Sequence, residues 1–156
     1  LLREDICGTA WLSCEWVSQH KDNQAWGVAL DPEPLAWGLK HNATKLTSEQ
    51  LARLHLQEGD VRQVRDPLVD VVCAQNFSYF CFKTRQALRS YFEAARAGLR
   101  PEGLLVLDLY GGPESQIPQE EETEYEEDGF SYIWDQDRFN PINHDCTCHI
   151  HFRFPE

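Results

Sequence analysis

The stretch LREDICGTAWLS, residues 2–13, decides the fold that we predict for this chain. A short strand-like run ends at a single glycine, Gly8, and a helix-like run follows it. A glycine between a strand and a helix lets the backbone approach a ligand closely. The helix that follows offers free N–H groups and the positive end of its dipole. We therefore predict a strand–turn–helix unit that binds something small and polar beside Glu4 and Asp5.

The chain continues as an alternation of strands and helices. The predicted strands are residues 1–4, 25–31, 55–61, 68–76 and 103–112, and the predicted helices are 9–20, 34–46, 48–54 and 83–99. Alternation with such short connections is typical of right-handed βαβ units. We predict an α/β fold: a doubly wound, mostly parallel sheet with helices on both faces. Ligands of such sheets bind beyond the carboxyl ends of the strands.

The composition changes after residue 112. Residues 113–128 contain eight acidic residues and no basic one, which predicts a solvated acidic loop. Period-two alternation of Phe130, Tyr132 and Trp134 predicts an antiparallel hairpin in residues 129–156. We interpret residues 1–112 as a cofactor-binding core, incomplete at its N-terminus, and the hairpin as a substrate-side insertion. Its aromatic side chains form either a packed face or a platform on which an acceptor stacks.

Composition and charge restrict the partners and the compartment. The net charge of −12 argues against duplex nucleic acid as a partner. No apolar run is long enough to span a membrane, and no signal peptide is visible. Four of the six cysteines lie in or beside apolar segments, which favours free core thiols and a cytoplasmic protein. The chain lacks methionine and begins inside a strand, so we expect a fragment of a longer protein.

The stretch HDCTCHIH, residues 144–151, contains residue types that bind zinc. Along a strand, His144, Cys146 and Cys148 share one face, and His149 and His151 share the other. A tetrahedral site needs four convergent ligands, usually from two separated pairs, and no second pair is present. We predict no metal site.

Two kinds of nucleotide-like ligand fit the turn at Gly8. A dinucleotide-binding domain requires G-x-G-x-x-G after its first strand. Here the turn supplies Gly8 alone, which argues against a nicotinamide dehydrogenase. S-adenosylmethionine needs no pyrophosphate cradle and is the alternative.

A series of five motifs favours that alternative. EDICGTA resembles the first motif of class I S-adenosylmethionine-dependent methyltransferases, D-L-G-C-G-T-G, with Ile6 and Ala10 at two of its glycine positions. GVALD resembles the second motif, EGDVRQV the third and DVVCAQNFSY the fourth, and LRPEGLLVLDLYGG resembles the strand that follows. The chain is therefore similar to this family over residues 1–112.

The resemblance implies S-adenosyl-L-methionine as cofactor and a set of residues that bind it. That set is Glu4, Cys7, Gly8, Thr9, Asp31, Pro32, Asp60, Val61 and Asn76. Asp31 lies 23 residues beyond Gly8 and would bind both ribose hydroxyls. Asp60 and Val61 would lie at the adenine edge. Asn76 opens NFSY, which is similar to the N-x-x-Y arrangement of amino-group methyltransferases but lacks its prolines, so a pocket-lining role is the alternative.

The function that the resemblance implies is methyl transfer to an unidentified small-molecule or protein acceptor. Displacement at a sulfonium methyl requires mainly proximity and alignment, and no residue is assigned as a general base. The alternative is a methyltransferase-like module without catalysis, since two motif glycines are replaced and an acidic stretch is present.

Overall fold

The computed structural model describes residues 1–155. The chain forms two compact units: the first is Leu1–Leu109, and the second begins at Tyr110. Within residues 1–155, every helix is too short or too polar to cross a membrane.

The first unit is a parallel sheet with helices on both faces. Its strands are β1 (Leu2–Asp5), β2 (Ala25–Ala29), β3 (Leu54–Glu58), β4 (Val69–Ala74) and β5 (Leu99–Leu107), in the order β3-β2-β1-β4-β5. Its helices are α1 (Trp11–Gln19), α2 (Pro32–His41), α3 (Ser48–Leu51) and α4 (Arg85–Ala97), with short 3₁₀ turns at Ala43–Lys45 and Ser78–Cys81. Each neighbouring pair of strands is parallel. The predicted doubly wound fold class is confirmed.

Four clusters of buried hydrophobic residues stabilise this unit, and two of them pack a helix against opposite faces of the sheet. On one face, Leu2 and Ala25 pack with Cys14 and Val17 of α1. On the other face, Val69 and Val72 pack with Ala95 of α4. Side chains alternate across β1, so Leu2 and Arg3 face opposite sides of the sheet.

The last strand of this sheet differs from the prediction. We expected residues 103–112, but β5 begins at Leu99, directly after Gly98 ends α4, and it stops at Leu107. Pro101 lies within it. Since β5 is at the edge of the sheet, its outer side needs no backbone donor, and a proline is tolerated there.

The second unit contains three antiparallel strands within its described residues, not the two of a hairpin. They are β6 (Gln119–Tyr125), β7 (Phe130–Phe139) and β8 (Cys146–Arg153), in the order β6-β7-β8, after a 3₁₀ turn at Pro113–Gln116. The interpretation of residues 113–128 as an acidic loop is therefore wrong over β6. Seven residues of β6 pair with β7, from Gln119 opposite Gln136 to Tyr125 opposite Phe130. Glutamates suit an exposed edge strand because their charge discourages pairing with another chain.

A buried glutamine anchors this second sheet. Gln136 is 1% exposed, and its amide nitrogen donates to the carbonyl oxygens of Glu114 and Ile117. Its amide oxygen accepts from the Tyr110 hydroxyl. These bonds fasten the segment before β6 to β7, so the acidic stretch is part of the folded unit.

The prediction of four core thiols is wrong at one position. Cys7, Cys14 and Cys73 are buried, but Cys81 is exposed at the end of its 3₁₀ turn. All six cysteines are free thiols.

Candidate functional site

The loops that carry the predicted site residues meet at one edge of the parallel sheet. Since all five strands run in the same direction, their carboxyl ends share that edge. Hydrogen bonds join neighbouring loops there: the Cys7 N–H donates to the Val28 carbonyl at 3.0 Å, and the Gly59 N–H donates to the Ala29 carbonyl at 2.9 Å. The structure thus brings the ends of β1, β2 and β3 together as an edge on which a ligand can lie.

The loop after β1 has a left-handed backbone at every second residue. Ile6, Gly8 and Ala10 have φ angles of 58°, 53° and 53°. Only glycine adopts this conformation freely, and another residue type costs roughly 1–2 kcal/mol there. Two residues therefore hold a left-handed backbone at the positions where the family motif has glycine. The loop keeps its conformation although its sequence departs from the motif.

Gly8 lies at the open side of this loop. A Cβ atom built at Gly8 has no other atom within 4 Å. The hydrogen of Gly8 therefore faces free space at the edge where ligands of such sheets bind. This free space leaves room for the close approach of backbone to ligand that the sequence predicts.

Cys7, next to Gly8, faces the protein interior. Its side chain packs with Ala10, Ala29 and Leu35. Burial, together with the nearby Glu4, raises the pKa of the Cys7 thiol to about 12. The thiol stays protonated at neutral pH and is not a nucleophile. Any contact of Cys7 with a cofactor would involve its backbone.

The backbone of Thr9 is held in place by Gly38 of α2 and by Asn42, directly after that helix. The Asn42 side chain donates to the Thr9 carbonyl at 3.0 Å. Gly38 of α2 approaches the same carbonyl so closely that a Cβ atom there would overlap it. The contact requires glycine at position 38 and holds the loop against α2.

We expect Gly38→Ala to destabilise the fold by about 1–3 kcal/mol, as for an overpacked core. The added methyl group meets backbone, which cannot rotate away as a flexible side chain can. Denaturant unfolding measures the change. Gly111→Ala is the matched control, since a Cβ there meets nothing within 4 Å. Helix propensity alone predicts that Gly38→Ala stabilises α2 by up to about 1 kcal/mol, and that result would contradict the close approach.

Glu4 is buried and already has a partner. Its Oε2 accepts from the backbone N–H of Ser13 at 2.8 Å and from the Ser13 hydroxyl at 2.6 Å. Burial raises the pKa of Glu4, and the two hydrogen bonds from Ser13 oppose that shift. Since Ala10 gives α1 no side-chain cap, Glu4 satisfies one of the free N–H groups of the first turn from the neighbouring strand. A contact between Glu4 and the cofactor stays a prediction.

Asp31 caps α2. Its Oδ1 accepts from the Glu33 N–H at 3.0 Å, and Pro32 is the first residue of the helix. Both residues are exposed at the edge, two to three positions after β2 ends at Ala29. The second carboxylate oxygen, Oδ2, has no hydrogen-bond partner among residues 1–155. If Asp31 also binds two ribose hydroxyls, its carboxylate must accept hydrogen bonds from both the ribose and the first turn of α2.

Asp60 and Val61 follow β3 and face in different directions. Asp60 accepts from the backbone and guanidinium N–H groups of Arg62, with the shortest distance 2.6 Å. Hydrogen bonding to the Arg62 side chain is the main reason why the pKa of Asp60 is lowered. Val61 is 4% exposed and packs with Val28 and Val64. The carboxylate is thus neutralised by Arg62, and the Val61 side chain is in the core, so adenine contacts from Val61 would come from its backbone.

Asn76 follows β4 in a tight turn. It is exposed and has a φ of 57°, and Phe77 follows with a φ of 42°. The Phe77 N–H donates to Asp108, just after β5, at 2.6 Å. This bond ties the ends of β4 and β5 together and holds the Asn76 side chain at the surface of the edge.

Sequence reasoning missed the residues that support the edge. They are Ser13, Gly38, Asn42 and Asp108. One of them had a readable signal: Gly38 interrupts a helical pattern, which usually has a packing reason, whereas Asp108 lies inside the predicted strand 103–112. Nothing in the sequence pairs Ser13 with Glu4 or Asn42 with Thr9.

The cysteines and histidines of residues 144–151 lie in the second unit. The Cys146 and Cys148 sulfurs are 3.4 Å apart on β8, whereas His149 and His151 face Asp137 and Asp135 on the other side of the strand. His144 precedes the strand and has a left-handed φ of 62°. In the described part of the chain, no three His, Cys, Asp or Glu side chains converge on a common point.

Comparison with known proteins identifies the fold. No family model and no curated protein matches the chain. Solved structures do match, and all of those compared below are methyltransferases.

Three solved structures illustrate the likeness. The CcbJ methyltransferase from Streptomyces caelestis superposes with a TM-score of 0.70 at 16% identity, over 98% of this chain and 65% of its own. CalS10, an amino pentose methyltransferase from Micromonospora echinaspora, gives 0.68 at 18% identity, over 98% and 67%. KedS8, a sugar N-methyltransferase from Streptoalloteichus sp., gives 0.63 at 19% identity, over 98% and 64%. The chain thus spans about two thirds of their length, and it has the fold of the S-adenosylmethionine-dependent methyltransferases.

Proposed function

We propose that this chain binds S-adenosylmethionine and serves methyl transfer to a small-molecule acceptor. The observation that carries the proposal is the loop after β1. Its backbone is left-handed at residues 6, 8 and 10, and Gly8 faces open space in the loop that is hydrogen-bonded to the end of β2. CalS10 and one form of the glycopeptide N-methyltransferase MtfA were crystallised with the same cofactor, which supports its choice.

The residues present fit the cofactor on two counts. First, the position that a Cβ would occupy at Gly8 is free, so a ligand can reach the backbone of the loop. Second, Asp31 keeps one carboxylate oxygen without a partner among residues 1–155, and a ribose hydroxyl is a suitable donor for it. The buried side chains of Cys7 and Val61 limit those residues to backbone contacts.

In the proposed site, residues of this chain bind the cofactor and orient it. Asp31 accepts hydrogen bonds from ribose, and the backbone around Gly8 and Thr9 lies against the amino-acid end. Asp60 and Val61 border adenine, and Asn76 closes the edge at the end of β4. Pro32 limits the flexibility of the Asp31 turn, because its ring fixes φ.

When bound, S-adenosylmethionine supplies a methyl group on a sulfonium, which is already an excellent leaving group. The chain's contribution is then alignment of an acceptor lone pair behind that methyl group, not activation of the leaving group. An amine acceptor attacks as the free base and releases a proton afterwards, so a strong general base is unnecessary. This agrees with an edge at which the predicted binding carboxylates, Glu4, Asp31 and Asp60, all have structural partners.

The class of acceptor is proposed from the solved relatives. They include an amino pentose, a sugar and a glycopeptide N-methyltransferase. We propose a small molecule with an amino group on a sugar or similar polar ring. Asn76 is exposed beside Phe77 and Phe80, whose rings are 5.9 Å apart, and an amide next to aromatic rings can bind such a group.

A module that binds without catalysis is the second candidate. Two observations favour it: Ile6 and Ala10 replace motif glycines, and Arg62 neutralises Asp60. Calorimetric titration of the purified protein with S-adenosylmethionine tests binding, and radiolabelled cofactor with a panel of amino sugars tests transfer. Cofactor binding without transfer to any acceptor would favour the module, and absence of binding would contradict both candidates.

We expect Asp31→Ala to weaken cofactor binding by about 2–4 kcal/mol, because two charge-assisted hydrogen bonds are lost. The same change removes the cap of α2 and costs about 1 kcal/mol of folding stability. Calorimetry measures the affinity, and denaturant unfolding measures the stability.

Asp31→Ser separates the two roles of this carboxylate. Serine caps a helix about as well as aspartate, but its hydroxyl is too short and carries no charge for ribose. We expect Asp31→Ser to lose cofactor affinity as Asp31→Ala does while keeping the parental stability. Parental cofactor affinity in Asp31→Ser would show that the carboxylate serves only the helix.

A further inference from the structure

One face of α4 carries an apolar groove with a basic border, which we call the basic stripe. Its residues are Arg85, Leu88, Arg89, Phe92 and Arg96, which repeat at helical spacing over about 16 Å. Together with Glu93 they line a groove of about 410 Å³. The opposite face of the helix, with Tyr91, Ala94 and Ala95, is buried against the sheet. The stripe is therefore the free face of α4 within residues 1–155.

The charge of the stripe is only partly compensated. Arg89 pairs with Glu93 one turn later at 2.8 Å. Arg85 and Arg96 form no ion pair with any residue from 1 to 155. Phe92 is 36% exposed between them. Two cations without an ion-pair partner among the described residues thus border an exposed aromatic ring on a chain with a net charge of −12.

The second unit carries a surface of the opposite kind, which we call the acidic tip. It comprises Glu124, Tyr125, Glu126 and Phe130, around the turn between β6 and β7, and Phe154, which follows β8. The Tyr125 and Phe130 rings stack at 5.1 Å, and Phe154 lies 6.1 Å from Phe130. Tyr125 is 45% exposed and Phe154 is 68% exposed.

The acids of the tip also lack partners. Arg153 pairs with Glu122, at 2.6 Å, and so does not neutralise the remaining acids. Glu124 and Glu126 form no ion pair with any described residue. The tip thus presents exposed aromatic rings with an acidic border.

We propose that the acidic tip of one copy of this chain docks on the basic stripe of a second copy. The two surfaces match in both respects: each has an apolar centre, and the borders have opposite charge. Exposed aromatic rings are typical anchors of protein interfaces, and complementary borders set their orientation. The partner that binds the basic stripe is a second copy of this chain, because every copy carries both complementary surfaces. This association goes beyond methyl transfer and does not depend on it.

Sedimentation velocity of the purified protein over a wide concentration range tests the proposal. We expect the average mass to rise with concentration at low salt and to return to that of the monomer at high salt, since exposed charges are screened. A monomer at every concentration and salt would overturn the proposal.

A charge exchange makes the test specific. Arg85→Glu/Arg96→Glu and Glu124→Arg/Glu126→Arg each place like charges on both surfaces, so each variant alone should associate at least tenfold more weakly. Mixed together, the two variants again present opposite charges, and we expect the mixture to associate. Failure of the mixture to associate, with both variants folded by circular dichroism, would overturn the proposal.

The control changes net charge equally at other sites. Lys21→Glu/Lys40→Glu alters two exposed lysines outside both surfaces. We expect this variant to associate as the parent does. Loss of association in the control would show that net charge, not these two surfaces, determines the result.

Discussion

Gly8→Val is expected to abolish S-adenosylmethionine binding, with a loss of at least about 100-fold, or more than about 2.7 kcal/mol. The reason is steric, because the valine side chain would fill the free space that Gly8 faces at the ligand edge. The fold should survive. No protein atom lies within 4 Å of the new Cβ, so the cost is that of a β-branched residue with a φ of +53°, about 1–3 kcal/mol. Calorimetry measures the affinity, and denaturant unfolding measures the stability.

A second glycine provides the matched control. Gly129 in the second unit has a φ of +69°, and a Cβ there also meets nothing within 4 Å. Gly129→Val should therefore cost a similar stability and leave cofactor binding unchanged. Near-parental affinity in Gly8→Val would show that the turn is merely structural.

Ala10→Gly tests the loop by adding a glycine, whereas Gly8→Val removes one. It restores a motif glycine at a position that is already left-handed, with a φ of 53°. Relief of backbone strain and loss of a buried methyl group oppose each other, so we expect stability to change by less than about 1 kcal/mol. Cofactor affinity should be kept. A large loss of affinity would mean that the methyl group of Ala10, and not the backbone, shapes the loop.

The sequence predicted the sheet and the edge at which the loops meet because both depend on local patterns. Continuous apolar runs such as residues 68–76 are typical of central parallel strands, and strands that run in the same direction have their carboxyl-end loops at one edge. The partners of the site residues depend on contacts between distant parts of the chain. Asn42, for example, reaches Thr9 across 33 positions, and no local pattern indicates that.

Strand β6 shows that local sequence patterns also fail to predict secondary structure that depends on distant pairing. Its sequence QEEETEY has a low intrinsic preference for strands, and eight acids in residues 113–128 favour a loop. The strand forms because its backbone pairs with β7 along its whole length. Tertiary pairing thus overrides local composition here, and Gln136 anchors the segment from a position that the sequence did not mark.

The sequence pattern places Glu4 and Asp5 together beside the predicted ligand, whereas the structure places their side chains on opposite faces of the sheet, because they are neighbours on β1. Glu4 caps α1, and Asp5 pairs with Arg3 on the other face. One signal was readable: Arg3 and Asp5 are two positions apart in a strand, which places them on the same face. Tyr91 of α4 lies beside Asp5, and Gly98 at the end of α4 lies against the Arg3 guanidinium, so contacts with α4 help to bury both charges.

Asp5→Ala is expected to destabilise the fold by about 3–5 kcal/mol, because it leaves a buried charge without its partner. Arg3 and Asp5 side chains are both 0% exposed, and the guanidinium donates to the two Asp5 oxygens at 2.8 and 3.2 Å. Arg3 also donates to the Val64 carbonyl, a neutral acceptor that cannot balance the charge. Urea unfolding measures the change. Asp70→Ala is the control, since Asp70 pairs with Arg100 at the surface and its loss should cost no more than about 1 kcal/mol.

Replacing both partners should recover most of that loss. Desolvation raises the pKa of Asp5 more strongly than the nearby Arg3 lowers it, so burial of the carboxylate is unfavourable even with its partner present. Arg3→Met/Asp5→Leu removes both charges and fills the space with apolar side chains. We expect this double variant to be clearly more stable than Asp5→Ala, as apolar replacements of buried ion pairs often are. A double variant as unstable as Asp5→Ala would show that the packing around β1 depends on the shape of the ion pair, and that the uncompensated charge of Arg3 is not what destabilises the single variant.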